Sequence, residues 1–154
     1  MGLHDILSPD GIVFDLHARC KREALASLAG KAAEITGVSA ETIREALMAR
    51  EQLGSTGVGR GVAIPHGKID GLNEIVGVMA KLDQPVDFDS VDDEPVDLIF
   101  VLLAPAHASA AHLKALAKVS RLLKDDASRE ALKGAESPEA LYAIAIETAQ
   151  PHAA

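Results

Sequence analysis

The residues best suited to chemistry lie in one stretch, Arg50-Glu51-Gln52-Leu53-Gly54-Ser55-Thr56-Gly57-Val58-Gly59-Arg60-Gly61-Val62-Ala63-Ile64-Pro65-His66-Gly67-Lys68. It sets a single imidazole beside hydroxyls, two guanidinium groups and a run of glycines. Glycines let backbone N–H groups turn toward an anion, Ser and Thr add donors, and Arg supplies fixed positive charge. Histidine adds a ring nitrogen that is nucleophilic near neutral pH. Residues 50–68 carry a local charge of +2, whereas residues 83–97 hold seven acids and no base. Positive charge concentrated around His66 favours an anion there. In attack on phosphorus through a ring nitrogen, Arg50 and backbone N–H groups can stabilise the charge spread over the equatorial oxygens.

Other chemistries fit less well. Residues 54–61 approximate the G-x-x-x-x-G-K-[ST] phosphate loop, with Arg60 for Lys and Gly61 for the hydroxyl residue. A P-loop follows a strand and opens a helix, whereas this segment follows a helix and enters a strand, so ATP binding is not expected. Ser55, His66 and Asp70 are close in sequence but lack the nucleophile elbow of a hydrolase. His107 and His112 have no neighbouring Cys and no carboxylate at ligand spacing, so no metal and no cofactor is expected. His112 itself falls in the first turn of an expected helix, an end that favours anions. From there it could hydrogen-bond His66 or an anion on it. His4, His17 and His152 have no suggestive context.

The elements that position these groups follow from periodicity. Ile12 to Leu16 reads as a short strand, and Lys21 to Thr36 as a helix with apolar residues at helical spacing, closed by Gly37. Ser39 is a good N-cap for a helix from Ala40 to Gln52, whose last turn delivers Arg50 to the glycine loop. Val62 to Ile64 is a short strand ended by Pro65, so His66 is expected to begin a turn. Ile75 to Leu82 and Val96 to Leu103 are strands, the second apolar enough to be central. Between them Asp83 to Pro95 is an acidic, proline-bounded loop, either solvated or a rim that steers a basic partner. Helices are expected at 110–124 with Ser109 as N-cap, at 128–133, and from Pro138 to Thr148 after Ser137. Residues 150–154 are expected to fray. Strands alternating with helices predict one α/β domain over residues 1–154, with an ordered core at about 3–149 and a sheet covered by helices on both faces.

Composition narrows the partners. With 154 residues the chain can bury roughly 70% of its unfolded surface and needs no metal or disulfide staple. Trp is absent, Phe occurs three times and Tyr once, which argues against base stacking on aromatics, and the formal charge of −8 repels nucleic acid and anionic lipid. Met1 to Asp5 show no basic region followed by an apolar stretch, and no run of about 18 apolar residues occurs, so the protein is expected to be soluble and cytoplasmic. Cys20, the single cysteine, is expected to be a partly buried residue at a helix start.

Three segments resemble a known family. Residues 50–59 are similar to R-E-x-x-G-S-T-G-[IV]-G, and residues 61–68 to G-[IV]-A-I-P-H-G-K. Pro95 to Phe100 and His112 to Leu116 are similar to P-V-D-L-[IL]-F and H-L-x-x-L. These patterns belong to enzyme IIA of the fructose/mannitol type in the bacterial phosphoenolpyruvate phosphotransferase system, most closely its nitrogen-related branch. The resemblance covers nearly the whole chain and implies a mixed sheet flanked by helices. It implies that His66 is phosphorylated through Nε2, that Arg50 with Ser55, Thr56 and Gly57 holds the phosphoryl group, and that His112 is the second site histidine. It implies an HPr-like phosphocarrier as donor, itself charged by an enzyme I. The product is a phosphohistidine intermediate and not classical turnover. With no IIB or IIC segment in the chain, the nitrogen-related branch implies regulation of targets such as potassium-transport components or sensor kinases. Transfer to a separate IIB and a non-catalytic anion-binding module are the alternatives. The resemblance leaves the roles of Arg60 and Lys68 open.

Overall fold

The centre of the molecule is a strand buried along almost its whole length, Val96–Pro105, around which a six-stranded mixed sheet is built. The computed structural model describes residues 2–149, so the expected fraying of residues 150–154, and His152, lie outside the described residues. In chain order the elements are β1 (Ile12–Leu16), α1 (Lys21–Thr36), α2 (Ala40–Gln52), β2 (Gly57–Gly59), β3 (Val62–Ala63) and β4 (His66–Ile69). They continue with β5 (Val76–Val86), β6 (Val96–Pro105), α3 (Ser109–Lys124), α4 (Asp126–Lys133) and α5 (Pro138–Ala149), and short 3-10 turns lie at Leu3–Asp5 and Pro9–Gly11. The sheet order is β1-β5-β6-β3-β2, with β4 also on β6. β1 runs parallel to β5, and β3 and β4 run parallel to β6, while β5 and β6 are antiparallel.

Side chains alternate across β6 with the period of two that a strand imposes. Ile99, Val101 and Leu103 face a core with Leu25, Leu28, Ile43 and Leu47 of α1 and α2. Leu98, Phe100 and Leu102 face a second core with Ala115 and Val119 of α3, Leu132 of α4 and Leu141 of α5. The sheet is therefore covered on both faces, as the alternation of strands and helices predicts. Each fully buried Leu, Ile or Phe contributes roughly 1.5–3 kcal/mol against exposure.

Local signals place the helices well. α1 ends at Gly37, whose φ of 78° is the left-handed conformation glycine adopts without steric penalty, and its N–H reaches Ala33 O at 2.9 Å. Ser39 caps α2 through Thr42 N, and Ser137 caps α5 through Ala140 N at 3.0 Å. Ser109 is the first residue of α3 and not its cap; Ala108 occupies the cap position and makes no side-chain bond. α4 starts two residues earlier than expected because the Asp125 carboxylate accepts from Ser128 N at 2.9 Å. Cys20 is exposed, contrary to the partial burial expected of a free thiol.

Two differences concern the strands near the glycine run. β5 continues through Asp83 to Val86, with a register shift against β6 between Lys81 and Val86, so the acidic loop begins later than composition suggests. Residues 57–59 form β2, antiparallel to β3. His66 begins a strand and not a turn. Pro65 has no N–H for the ladder, but its carbonyl accepts from Leu102 N at 2.9 Å and β4 resumes pairing with β6 at His66 opposite Leu102.

Candidate functional site

The last turn of α2, the start of β4 and the first turn of α3 converge on one place. His66 is half-buried there, with Nδ1 at 2.8 Å from the Ile64 carbonyl. A carbonyl oxygen only accepts, so Nδ1 carries the proton and Nε2 keeps its lone pair. Arg50 donates from Nε toward that nitrogen at 3.3 Å and from Nη1 to Gly54 O at 2.8 Å. Backbone carbonyl and guanidinium together select one tautomer, in which Nε2 carries the free lone pair.

His112 stands against His66, with ring centroids 5.7 Å apart and planes at 70°. It is 8% exposed, and its Nε2 is buried without a hydrogen-bond partner. The first turn of α3 turns this ring inward, against His66 of β4, and not out to the surface that a helix start can offer. Burial, reinforced by the positive fields of His66 and Lys68, holds its pKa below the ordinary histidine value. Lys68 lies two residues beyond His66 on β4, and therefore on the same side of the strand, and donates to Ser109 Oγ at 2.6 Å.

The hydroxyls of the glycine loop have structural partners. Thr56 Oγ1 donates to Glu51 Oε2, and Thr56 N donates to Glu51 Oε1 at 3.1 Å. Glu51 is 8% exposed and also pairs with Lys21 Nζ of α1 at 3.2 Å. Ser55 Oγ donates to Phe88 O and accepts from Gly57 N at 3.0 Å. Gly57 abuts Ser90, and a Cβ there would fall 2.2 Å from Ser90 Oγ. Arg60 is not brought to His66. It sits at the tip of the β2–β3 turn with φ 58°, its backbone tied to Asp92 and Lys133 and its guanidinium to Asp126 at 2.5 Å.

Sequence reasoning missed Glu51, Lys21 and Ser90. Lys21 and Glu51 are 30 residues apart and meet only through the packing of α1 on α2, so no local spacing announces them. Glu51 had a weak signal, a carboxylate directly after Arg50 in the last turn of α2. Among the described residues no group of three or more His, Cys, Asp or Glu side chains is arranged to hold a metal ion. No described helix is long and apolar enough to cross a membrane.

A mixed sheet with helices on both faces, carrying paired imidazoles and a guanidinium at the mouth of a glycine-rich turn, defines the type 2 enzyme IIA class of phosphotransferase proteins. The chain belongs to the family described as phosphoenolpyruvate-dependent sugar phosphotransferase system, EIIA 2, which matches residues 5–147. Within it the chain is similar to proteins named nitrogen regulatory protein. It is 47% identical to that of Bradyrhizobium diazoefficiens over 144 residues, 94% of each chain. It is 40% identical to that of Pseudomonas aeruginosa over 146 residues, 94% of this chain and 95% of the relative. The crystal structure of nitrogen regulatory protein IIA-Ntr from Neisseria meningitidis superposes with a TM-score of 0.88 at 36% identity, covering 93% of this chain and 98% of that one. The mannitol IIA structure from Escherichia coli shares the fold, with a TM-score of 0.74 at 22% identity and coverage of 88% and 96%.

Proposed function

We propose that this protein accepts a phosphoryl group on His66 Nε2 from an HPr-like phosphocarrier and regulates partner proteins by its phosphorylation state. The observation that carries the reading is the tautomer: Nδ1 is committed to Ile64 O and Nε2 is left as the nucleophile beside Arg50. In the transfer, Nε2 forms a bond to phosphorus as the P–N bond to the donor's histidine breaks, and the donor ring keeps its nitrogen lone pair. Arg50 then shifts its Nε–H from Nε2 to a phosphoryl oxygen, still anchored through Gly54 O. The buried, unpaired Nε2 of His112 offers a second hydrogen-bonding group to those oxygens. Ser55, Thr56 and Gly57 act indirectly: their hydrogen bonds with Glu51, Phe88 and one another fix the loop that carries Gly54, the anchor of Arg50.

Protein partners suit the surroundings better than a small substrate. Leu53, 84% exposed, follows Arg50 by three residues, and Leu113, 68% exposed, follows His112 directly. Exposed aliphatic side chains beside a charged centre supply apolar contact to a docking protein. Phosphorylation adds about two negative charges to such a surface, enough to change which partners it holds, potassium-transport components and sensor kinases being the candidate targets.

The test is phosphorylation with enzyme I, the HPr-like carrier and phosphoenolpyruvate. Wild type takes up one acid-labile phosphoryl group and His66→Ala takes up none. Acid-labile label in His66→Ala at the wild-type level rules the assignment out.

A further inference from the structure

Helix α3 carries cations that form no ion pair among the described residues. Lys114, Lys118, Arg121 and Lys124 lie on it with no Asp or Glu, in a chain of formal charge −8. Like charges three and four residues apart repel along a helix and weaken it, and 114, 118 and 121 have that spacing. The helix dipole favours Arg121 and Lys124 in the last turn. It gives no support to Lys114 or Lys118. Among the described residues no ion pair uses any of these four cations, although other Lys and Arg side chains pair widely.

The same residues shape a surface. Lys114, Ala117, Lys118 and Arg121 line a shallow depression of about 300 Å³ whose floor is mostly apolar. The aliphatic stems of long cationic side chains provide such a floor while their heads stay in water. Residues 114 and 121 lie two helical turns apart, roughly 10 Å. An apolar seat rimmed by three cations over that span fits a short segment with carboxylates one and two turns apart around an aliphatic side chain. A long polyanion would meet the repulsion of the whole acidic molecule.

We propose that the exposed face of α3 is a docking strip for an acidic amphipathic helix of a partner protein. Its aliphatic side chain seats over Ala117, and its carboxylates pair with Lys114, Lys118 and Arg121. The strip starts two residues beyond His112, so a partner held there lies alongside the His66 site. Docking itself does not require His66 to be phosphorylated.

The experiment uses fluorescence anisotropy of a labelled helical peptide carrying Glu at i, i+4 and i+7 around a Leu, with a scrambled peptide of the same composition for comparison. Wild type binds the ordered peptide more tightly, with affinity falling as salt rises. Lys118→Glu/Arg121→Glu binds about tenfold more weakly, as reversal of two rim charges should produce. Arg22→Glu/Lys31→Glu, with the same change in net charge on α1, binds as wild type. Backbone amide shifts on peptide addition to wild type localise to residues 113–121. The proposal is overturned by equal binding of the two peptides, by equal loss in both double variants, or by shifts centred elsewhere. It is equally overturned if single-stranded RNA or phosphatidylserine vesicles bind this face more tightly than the peptide.

Discussion

Removing the Glu51 carboxylate should cost this fold about 3 kcal/mol, and the sum can be traced atom by atom. Thr56 is 3% exposed, and its N–H, held by Glu51 Oε1 at 3.1 Å, would be left buried and unpaired. That costs about 1–3 kcal/mol. The Thr56 hydroxyl loses its acceptor as well, for about 1 kcal/mol. Lys21 keeps a contact with Asp89 at 3.4 Å, but Asp89 is 77% exposed, so this substitute recovers little of the pairing. Glu51→Gln behaves differently, since its amide oxygen can still accept from Thr56 N and its amide N–H can donate to Thr56 Oγ1. It should lose only the charge opposite Lys21, about 1 kcal/mol. For a chain of this size the two variants correspond to drops in Tm of about 10 °C and about 3 °C. Urea unfolding followed by circular dichroism, with calorimetry for Tm, measures both. Equal stability of Glu51→Ala and Glu51→Gln, or a loss below about 0.5 kcal/mol for the alanine variant, would refute the account of Glu51 as the anchor of the glycine loop.

Arg50→Lys should keep charge but lose the guanidinium geometry that bonds Gly54 and His66 together, slowing phosphorylation of His66 about 10²-fold in rapid-quench assays; an undiminished rate removes Arg50 from the transfer step. Imidazole NMR should find His112 titrating below 6.5, its ordinary value, and Lys68→Met should raise that pKa by removing a neighbouring positive field. Because the unfolded chain then takes the proton first, the His112 contribution makes stability fall as pH drops below about 6.5 and level off beneath the folded pKa. A pKa at or above 6.5, or no response to Lys68→Met, contradicts this. Gly57→Ala should destabilise by about 1–3 kcal/mol through overlap with Ser90, and Ser90→Gly in the same chain should restore most of the loss; no rescue by the second change counts against the overlap.

Much of the architecture was legible because its signals are local. Gly37 and Ser39 mark the boundary between α1 and α2 by conformation and capping, and the apolar run of 96–103, broken only by Asp97, marks a strand buried on both faces. Arg50, His66 and His112 were legible as residue types, and the fold brings them within hydrogen-bond or ring-contact range. What the sequence hid was direction. Nothing in Ser55-Thr56 says that both hydroxyls turn inward, because their acceptors, Phe88 O and Glu51, are chosen by packing. Pro65 was correctly seen as an interruption of the ladder but not as part of a gap only two residues long, since resumption of β4 depends on where β6 lies.

The partner of His66 Nδ1 is a main-chain oxygen, and this has a consequence for how the site can vary. Ile64 O sits in the short gap between β3 and β4, beside a proline that has no proton of its own to offer. Replacing the Ile64 side chain leaves that oxygen in place. Changing which ring nitrogen carries the proton therefore demands a change in the path of the chain itself, so ordinary substitution can erode the rim of this centre far more readily than its orientation.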